Sequence, residues 1–155
     1  MAVLAAPAHG RPAPTSTRRN LSSGARVAYV VDGDTIRVWI GRRERYVRLI
    51  GIDTPEVYGT VECGGPAASR SMKRMLRPGQ RVRLVRDPTQ DSHDFYGRQL
   101  RYVIHGGRDL GRRQLRRGWA RVYVFDRPFR RLGSYRRSQH RARAAGRGIW
   151  SRCVR

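Results

Sequence analysis

Residues 47–56, Val47-Arg48-Leu49-Ile50-Gly51-Ile52-Asp53-Thr54-Pro55-Glu56 ("VRLIGIDTPE"), put two acids beside Thr-Pro at the end of an apolar run that carries an arginine inside it. Acids are scarce in this chain: 34 basic residues stand against 11 acidic ones. An unpaired guanidinium is costly to bury in an apolar strand. Arg48 therefore calls for Glu56 as a partner, or for an anionic ligand such as phosphate, which arginine grips with its planar fork.

The flanking sequence supplies a second carboxylate. "ARVAYVV" alternates up to the turn signal Asp32-Gly33, and "DTIRVWI" puts Ile36, Val38 and Ile40 on the parity of Asp34, with Arg37 and Trp39 opposite. "GRRE" is a polar turn, after which "RYVRLIGID" returns. In a hairpin about Arg42-Arg43, facing positions sum to roughly 85, which sets Asp34 opposite Gly51 and within a residue or two of Asp53. Asp34, Asp53, Thr54 and Glu56 then offer only hard oxygen donors around one point, the ligand set of Ca²⁺ or Mg²⁺. Taken singly, Asp34 reads as a turn residue and Asp53 as a cap or turn residue before Pro55. As a converging group they read as a cation site, because two close carboxylates without a cation repel.

At 155 residues the chain fits one domain over 25–155, preceded by a tail over 1–24. The apolar start "MAVLAAPAHG" is either the remnant of a secreted precursor's signal or a flexible tail, since it lacks a basic n-region and a full apolar run. The formal charge of +23 rests almost wholly on arginine, Lys73 being the only lysine. Such a charge favours polyanions, and nucleic acid is the natural partner. Composition bias accounts for arginine over lysine; it leaves the excess over acids unexplained. Without an apolar run of about 18 residues no membrane-spanning helix is expected. Cys63 and Cys153 are the only cysteines. They are a disulfide in an oxidising compartment or two unrelated thiols in the cytosol.

Further on, "GGPAASRSMKRMLRP" predicts a helix with Ala68, Met72, Met75 and Leu76 on one stripe. "QRVRLVRD" and "RQLRYVIH" predict strands on either side of the polar loop "PTQDSHDFYG". A short helix is expected between Asp109 as N-cap and Gly118 past its end. "WARVYVF" predicts a short strand, and residues 129–145 a last helix with Leu132, Tyr135 and Ala142 inward. The order describes an α+β fold, a small antiparallel barrel with packed helices.

"VVDGDTIRVWIGRRERYVRLIGIDTPE" resembles the first hairpins of the staphylococcal nuclease (thermonuclease) family. "DFYGRQLRYVI", "WARVYVF" and "RARAAGRGIWS" resemble its later loop, strands and final helix, in order over residues 25–151. DGDT alone is weak; DGDT with RLxGIDTPE and YGR at this spacing is specific. The resemblance implies a five-stranded OB-fold barrel with three helices and a phosphodiesterase site dependent on one Ca²⁺. Asp34 and Asp53 would ligate the ion through carboxylates and Thr54 through its backbone carbonyl. Glu56 would act on the attacking water, and Arg48 and Arg98 would bind the scissile phosphate. Tyr96 and Tyr123 match nucleotide-pocket tyrosines, or are ordinary packing residues. Asp32 lies beside the site as a hydrogen-bonding neighbour or as a plain turn residue. Phe95 replaces a basic residue of the prototype, the loop "VYGTVECGG" differs, and "VYVFDRP" is one residue shorter. The expectation is a secreted or cell-envelope, sugar-nonspecific endonuclease, probing as a monomer DNA and RNA substrates and leaving 3′-phosphate ends. A non-catalytic nucleic-acid-binding module of the same fold is the alternative.

Overall fold

Two residues, Gly41-Arg42, suffice to reverse the chain between β2 (Thr35–Ile40) and β3 (Arg43–Leu49), which follow β1 (Ser22–Val30). Gly41 has a φ of 58°, the positive value that a two-residue hairpin loop needs at its first position. The ladder pairs Ile40 with Arg43 and Thr35 with Arg48. Its register is offset by two from the expected one, because the turn lies one residue earlier. Asp34 therefore faces Leu49, whose N–H donates to the Asp34 carbonyl at 2.9 Å, and not Gly51. The structure, a computed structural model, describes residues 22–153. The tail expected over 1–24 lies outside the described residues up to 21, and β1 takes in Ser22–Gly24.

After β3 come β4 (Ile52–Asp53), α1 (Gly65–Met75), β5 (Arg81–Val85), β6 (Gln99–His105) and β7 (Arg108–Asp109). Then follow α2 (Leu110–Arg117), β8 (Arg121–Val122), α3 (Leu132–Ala144) and α4 (Ile149–Arg152). The long strands pair in the order β3-β2-β1-β5-β6, and a parallel pairing of β3 with β6 closes them into a barrel. Closure leaves these five strands without a free edge. Residues alternate across the wall: Val27, Ile36, Val38, Val47, Leu49, Val82, Leu84 and Val103 are buried inside, and Trp39, Arg81 and Arg83 face out. The fold is the α+β OB barrel of the expectation, although mixed and not wholly antiparallel, because the closing β3–β6 pair is parallel.

The helices close its flank. Ala68, Met72, Met75 and Leu76 bury the α1 stripe. Asp109 caps α2 by accepting from Arg112 N–H at 3.1 Å, and Gly118 ends it in the left-handed conformation. Buried Gln114 donates to the carbonyls of Gly33 (2.8 Å) and Ala68 (3.0 Å), tying α2 to α1 and to the turn before Asp34. The expected final helix over 129–145 is α3, shorter at both ends. The chain then bends through Gly146–Gly148 into α4, a fourth helix beyond the expected three. The expected strand in "WARVYVF" shrinks to Arg121–Val122, which pairs with β4.

Two features secure the outer parts. Cys63, before α1, and Cys153, after α4, form a disulfide with Cα atoms 5.7 Å apart. Buried Asp87 accepts from the Tyr102 hydroxyl, from Thr89 N–H (2.9 Å) and Oγ1 (2.7 Å), and from Arg130 N–H (2.7 Å). It thereby joins the end of β5 to β6 and to the approach to α3. No helix among the described residues is long and apolar enough to cross a membrane.

Candidate active site

Asp34 leaves the turn at the start of β2 with its carboxylate 5% exposed. Burial of that kind demands partners, and four are present. Oδ2 accepts from Thr54 N–H (2.8 Å) and Thr54 Oγ1 (2.9 Å), and Oδ1 from Thr35 Oγ1 (3.0 Å) and the Arg48 guanidinium (3.2 Å). The approach of Thr54 depends on Gly33. A Cβ there would lie 2.7 Å from Thr54 Oγ1 and 2.9 Å from the Ala68 Cβ, so Gly33 serves space as well as the turn.

Asp32 sets the backbone of the same turn. Its Oδ1 accepts from the N–H groups of Asp34 (3.0 Å) and Thr35 (2.7 Å), the side-chain turn that aspartate favours. Both readings of Asp32 hold, since the hydrogen bonds that make the turn are made to Asp34 and Thr35. Burial first, then the neighbouring Asp34 carboxylate, push the Asp32 carboxyl up to about 6.

Arg48 resolves the opening oddity differently from either expectation. Its partner is not Glu56, nor does it wait unpaired. Nη1 donates to the carbonyls of Ile52 (2.7 Å) and Leu49 (3.1 Å), Nη2 reaches Asp53 Oδ1 at 2.9 Å, and Nε faces Asp34. One guanidinium thus bridges both carboxylates and holds the Ile50-Gly51 turn that returns Asp53 toward Asp34. Asp53 is half-exposed. Burial pushes its carboxyl above the ordinary value, Arg48 pulls the other way, and Asp34 adds repulsion.

Glu56 is exposed, and its carboxylate has no hydrogen bond or ion pair among the described residues; its N–H donates to Glu62 Oε2 at 3.1 Å. Arg98 is placed by register, since Arg48 pairs with Leu100, two residues further along the chain. Its guanidinium is held by Asp94 at 2.6 Å and lies 5.3 Å from the Tyr96 ring centre. So Asp34, Arg48, Asp53 and Thr54 come together, whereas Glu56 and Arg98 stand beside them without direct contact.

Exposed aromatic residues occupy the neighbouring loops. Tyr96 and Phe95 are exposed on one, Tyr123 and Phe125 on another. Tyr123 N–H donates to the Gly51 carbonyl at 3.0 Å, beside Asp53. The loops are tied together by Thr89 Oγ1 to Pro128 O (3.2 Å) and Gln90 Nε2 to Arg127 O (3.0 Å). Ordinary core packing therefore does not describe Tyr96 or Tyr123. Phe125 and Tyr58, whose hydroxyl donates to Val31 O at 3.0 Å, are further aromatics of this rim. Their one sequence signal is placement in polar loops.

The donor set suits a hard cation: carboxylate oxygens of Asp34 and Asp53 with the oxygens of Thr54, and no sulfur or imidazole beside them. Among the described residues no three His, Cys, Asp or Glu side chains gather as ligands. A metal here would rest on two carboxylates completed by uncharged oxygens. Burial first, and the Asp34 charge after it, disfavour the ionised forms of Asp32 and Asp53, which a bound cation would favour.

A family model described as "Staphylococcal nuclease homologue" matches residues 46–152, which include Arg48, Asp53, Thr54, Glu56 and Arg98. The chain is 32% identical over 126 residues to endonuclease YncB of Bacillus subtilis (strain 168), covering 79% of this chain and 59% of that protein. It is 33% identical over 126 residues to the SPbeta prophage-derived endonuclease YokF of the same organism, of which it covers 42%. With the thermonuclease of Staphylococcus hyicus it shares 33% identity over 129 residues, 81% of this chain and 75% of the relative. The chain thus spans about half the length of the two Bacillus relatives.

Proposed function

The chain belongs to the staphylococcal nuclease family, and on that premise we propose that it is a nuclease, a metal-dependent, sugar-nonspecific endonuclease acting on DNA and RNA. The observation that carries the reading is the cluster of Asp34, Arg48, Asp53 and Thr54 with the unpartnered carboxylate of Glu56 two residues beyond Thr54. The turn before β2, β3, β4 and the segment after it converge to set oxygen donors around one arginine, with Glu56 next along the chain. A module that only bound backbone would need the arginines but not the acids.

Asp34 and Asp53, with the Thr54 backbone carbonyl, would hold one Ca²⁺. When bound, such an ion polarises a phosphoryl oxygen. The hydrogen bonds from Thr54 and Thr35 aim the Asp34 carboxylate. Glu56 takes a proton from, or orients, the attacking water. Arg48 and Arg98 turn from Asp53 and Asp94 to the phosphate and stabilise the charge that grows as phosphorus becomes five-coordinate. The water oxygen bonds to phosphorus, the bond to the 5′-oxygen breaks, and that oxygen takes up a proton. The products are a 3′-phosphate and a 5′-hydroxyl.

Contacts to phosphate and not to base edges account for activity on both sugars. Tyr96 and Tyr123 flank the strand. Secretion or an envelope location, with the protein a monomer, completes the proposal, and the Cys63–Cys153 bond supports its location in an oxidising compartment. End-group analysis of a cleaved oligonucleotide tests the chemistry: kinase labelling of the new 5′ ends without prior phosphatase is expected, and products blocked to that labelling would refute it.

A further inference from the structure

A groove of about 580 Å³ lies on the far side of β6 from Arg98, bounded by the β6–β7 turn, the outer face of α2 and the bend after α3. Its walls carry Arg108, Arg112, Arg113, Arg116, Arg117 and Arg147. The repeat in "DLGRRQLRRG" explains the arrangement. Arg112 stacks on Arg116 and Arg113 on Arg117, one helical turn apart, while Leu110, Gly111, Gln114 and Leu115 are buried on the other face.

None of the six arginines has an ion pair among the described residues. Asp109, the one carboxylate in the lining, is already engaged by Arg131 at 2.6 Å and by the Tyr135 hydroxyl at 2.9 Å. The arrangement also works against α2. Arg112 and Arg113 stand in its first turn, where the helix dipole disfavours cations, and like charges one turn apart repel. Burial, then repulsion from Arg117, Arg108 and Arg116, push the Arg113 guanidinium below its ordinary value. Arginine-rich composition would scatter charge over the surface; here six arginines without an ion pair among the described residues line one concavity.

We propose that this groove is a second binding site for the phosphodiester backbone of a nucleic-acid strand, anchoring long substrates whose scissile bond lies at the candidate active site. The inference rests on the nuclease reading for its second half only. β6 separates the two places by its length, about 20 Å at roughly 3.3 Å per residue. At about 3.4 Å of rise per phosphate, a stacked strand extends some six nucleotides to touch both. Short substrates engage the active site alone.

The test replaces Arg108, Arg113 and Arg116 by glutamine; none of the three side chains donates a hydrogen bond within the described residues, and the change relieves repulsion in α2. Binding of a 30-nucleotide and a 4-nucleotide single strand is followed by fluorescence anisotropy in EDTA over a series of NaCl concentrations. Cleavage of both is followed in Ca²⁺. The variant should bind the 30-mer about a hundredfold more weakly near 0.1 M salt, with the slope of log K against log salt reduced by about 2 for three lost phosphate contacts. Its kcat/KM should fall on the 30-mer and stay unchanged on the 4-mer. Lysine at the same three positions should restore binding. Wild-type affinity and slope in the glutamine variant, or an equal loss on both lengths, would each overturn the proposal. If the glutamine variant fails to fold by circular dichroism, Arg116→Gln alone should still lower the slope by about 0.7, and an unchanged slope overturns the proposal. Wild-type protein that binds but cleaves neither strand would sink the nuclease reading, while the EDTA arm would still decide whether the groove binds.

Discussion

Arg48 and Asp34 form a nearly buried ion pair, Nε to Oδ1 at 3.2 Å, and the same guanidinium holds Asp53 at 2.9 Å and the Leu49 and Ile52 carbonyls. The pair is as much the frame of the site as part of its chemistry. Arg48→Gln should lower unfolding free energy by about 3 kcal/mol, the low end for breaking a buried pair, as well as abolishing most activity. With the guanidinium gone, Ca²⁺ should raise the melting temperature of the variant more than that of the wild type. Urea unfolding in EDTA and melting curves with and without CaCl₂ check both; unchanged stability would show that the bridge is not structural.

Gly33→Ala should injure the site without touching a charged group. Its Cβ would collide with Thr54 and Ala68, and overpacking of this kind costs about 1–3 kcal/mol. Because Thr54 holds Asp34 by two hydrogen bonds, activity should fall further than stability alone explains. Full activity at a temperature well below the melting point would contradict this.

Where local rules decide conformation, the fold was legible in the sequence. Asp109 and Gly118 bound α2 as their capping chemistry requires, and alternation along β2 predicts which residues enter the barrel. The convergence of Asp34 and Asp53 was legible too, although the ladder is offset by two and the Ile50-Gly51 turn, held by Arg48, does the rest. Contacts set by the tertiary structure were not legible. Gln114 and Asp87 are polar residues whose burial depends on which carbonyls and hydroxyls the finished fold brings to them. Gly33 reads as a turn glycine until Thr54 is seen against it. Arg48 reads as awaiting a phosphate until its four protein partners are known.

The bond between Cys63 and Cys153 closes a loop over a sequence separation of 90. Chain entropy alone sets an upper figure of about 4–5 kcal/mol for such a loop. Dithiothreitol should add two hydrogens to the intact mass and lower the melting temperature markedly. The Cys63→Ser, Cys153→Ser protein should melt like the reduced wild type and ignore the reductant. An unchanged mass on reduction would refute the bridge.

Burial raises the Asp87 carboxyl, but hydrogen bonds from Tyr102, Thr89 and Arg130 outweigh it and hold the group below its ordinary value. A carboxyl depressed in the folded state stabilises above its unfolded pKa of about 3.9 and loses that contribution as pH falls through the folded value. The stability difference between wild type and Asp87→Asn should therefore be constant above about pH 5 and shrink below about pH 4. Urea unfolding between pH 6 and pH 2.5 reads it out; a difference independent of pH would contradict the assignment.

Nicking of supercoiled plasmid by the purified protein in Ca²⁺, in EDTA, and with Glu56→Gln tests the central reading most directly. The Glu56 carboxylate has no hydrogen bond or ion pair among the described residues, so the substitution should leave the melting temperature unchanged while slowing cleavage by about 10²–10⁴-fold, the range for a lost general base. Nicking in Ca²⁺, silence in EDTA and a folded but slow Glu56→Gln protein is the predicted outcome. Protein that binds plasmid without ever nicking it in Ca²⁺, or whose nicking survives both EDTA and Glu56→Gln, would contradict the account.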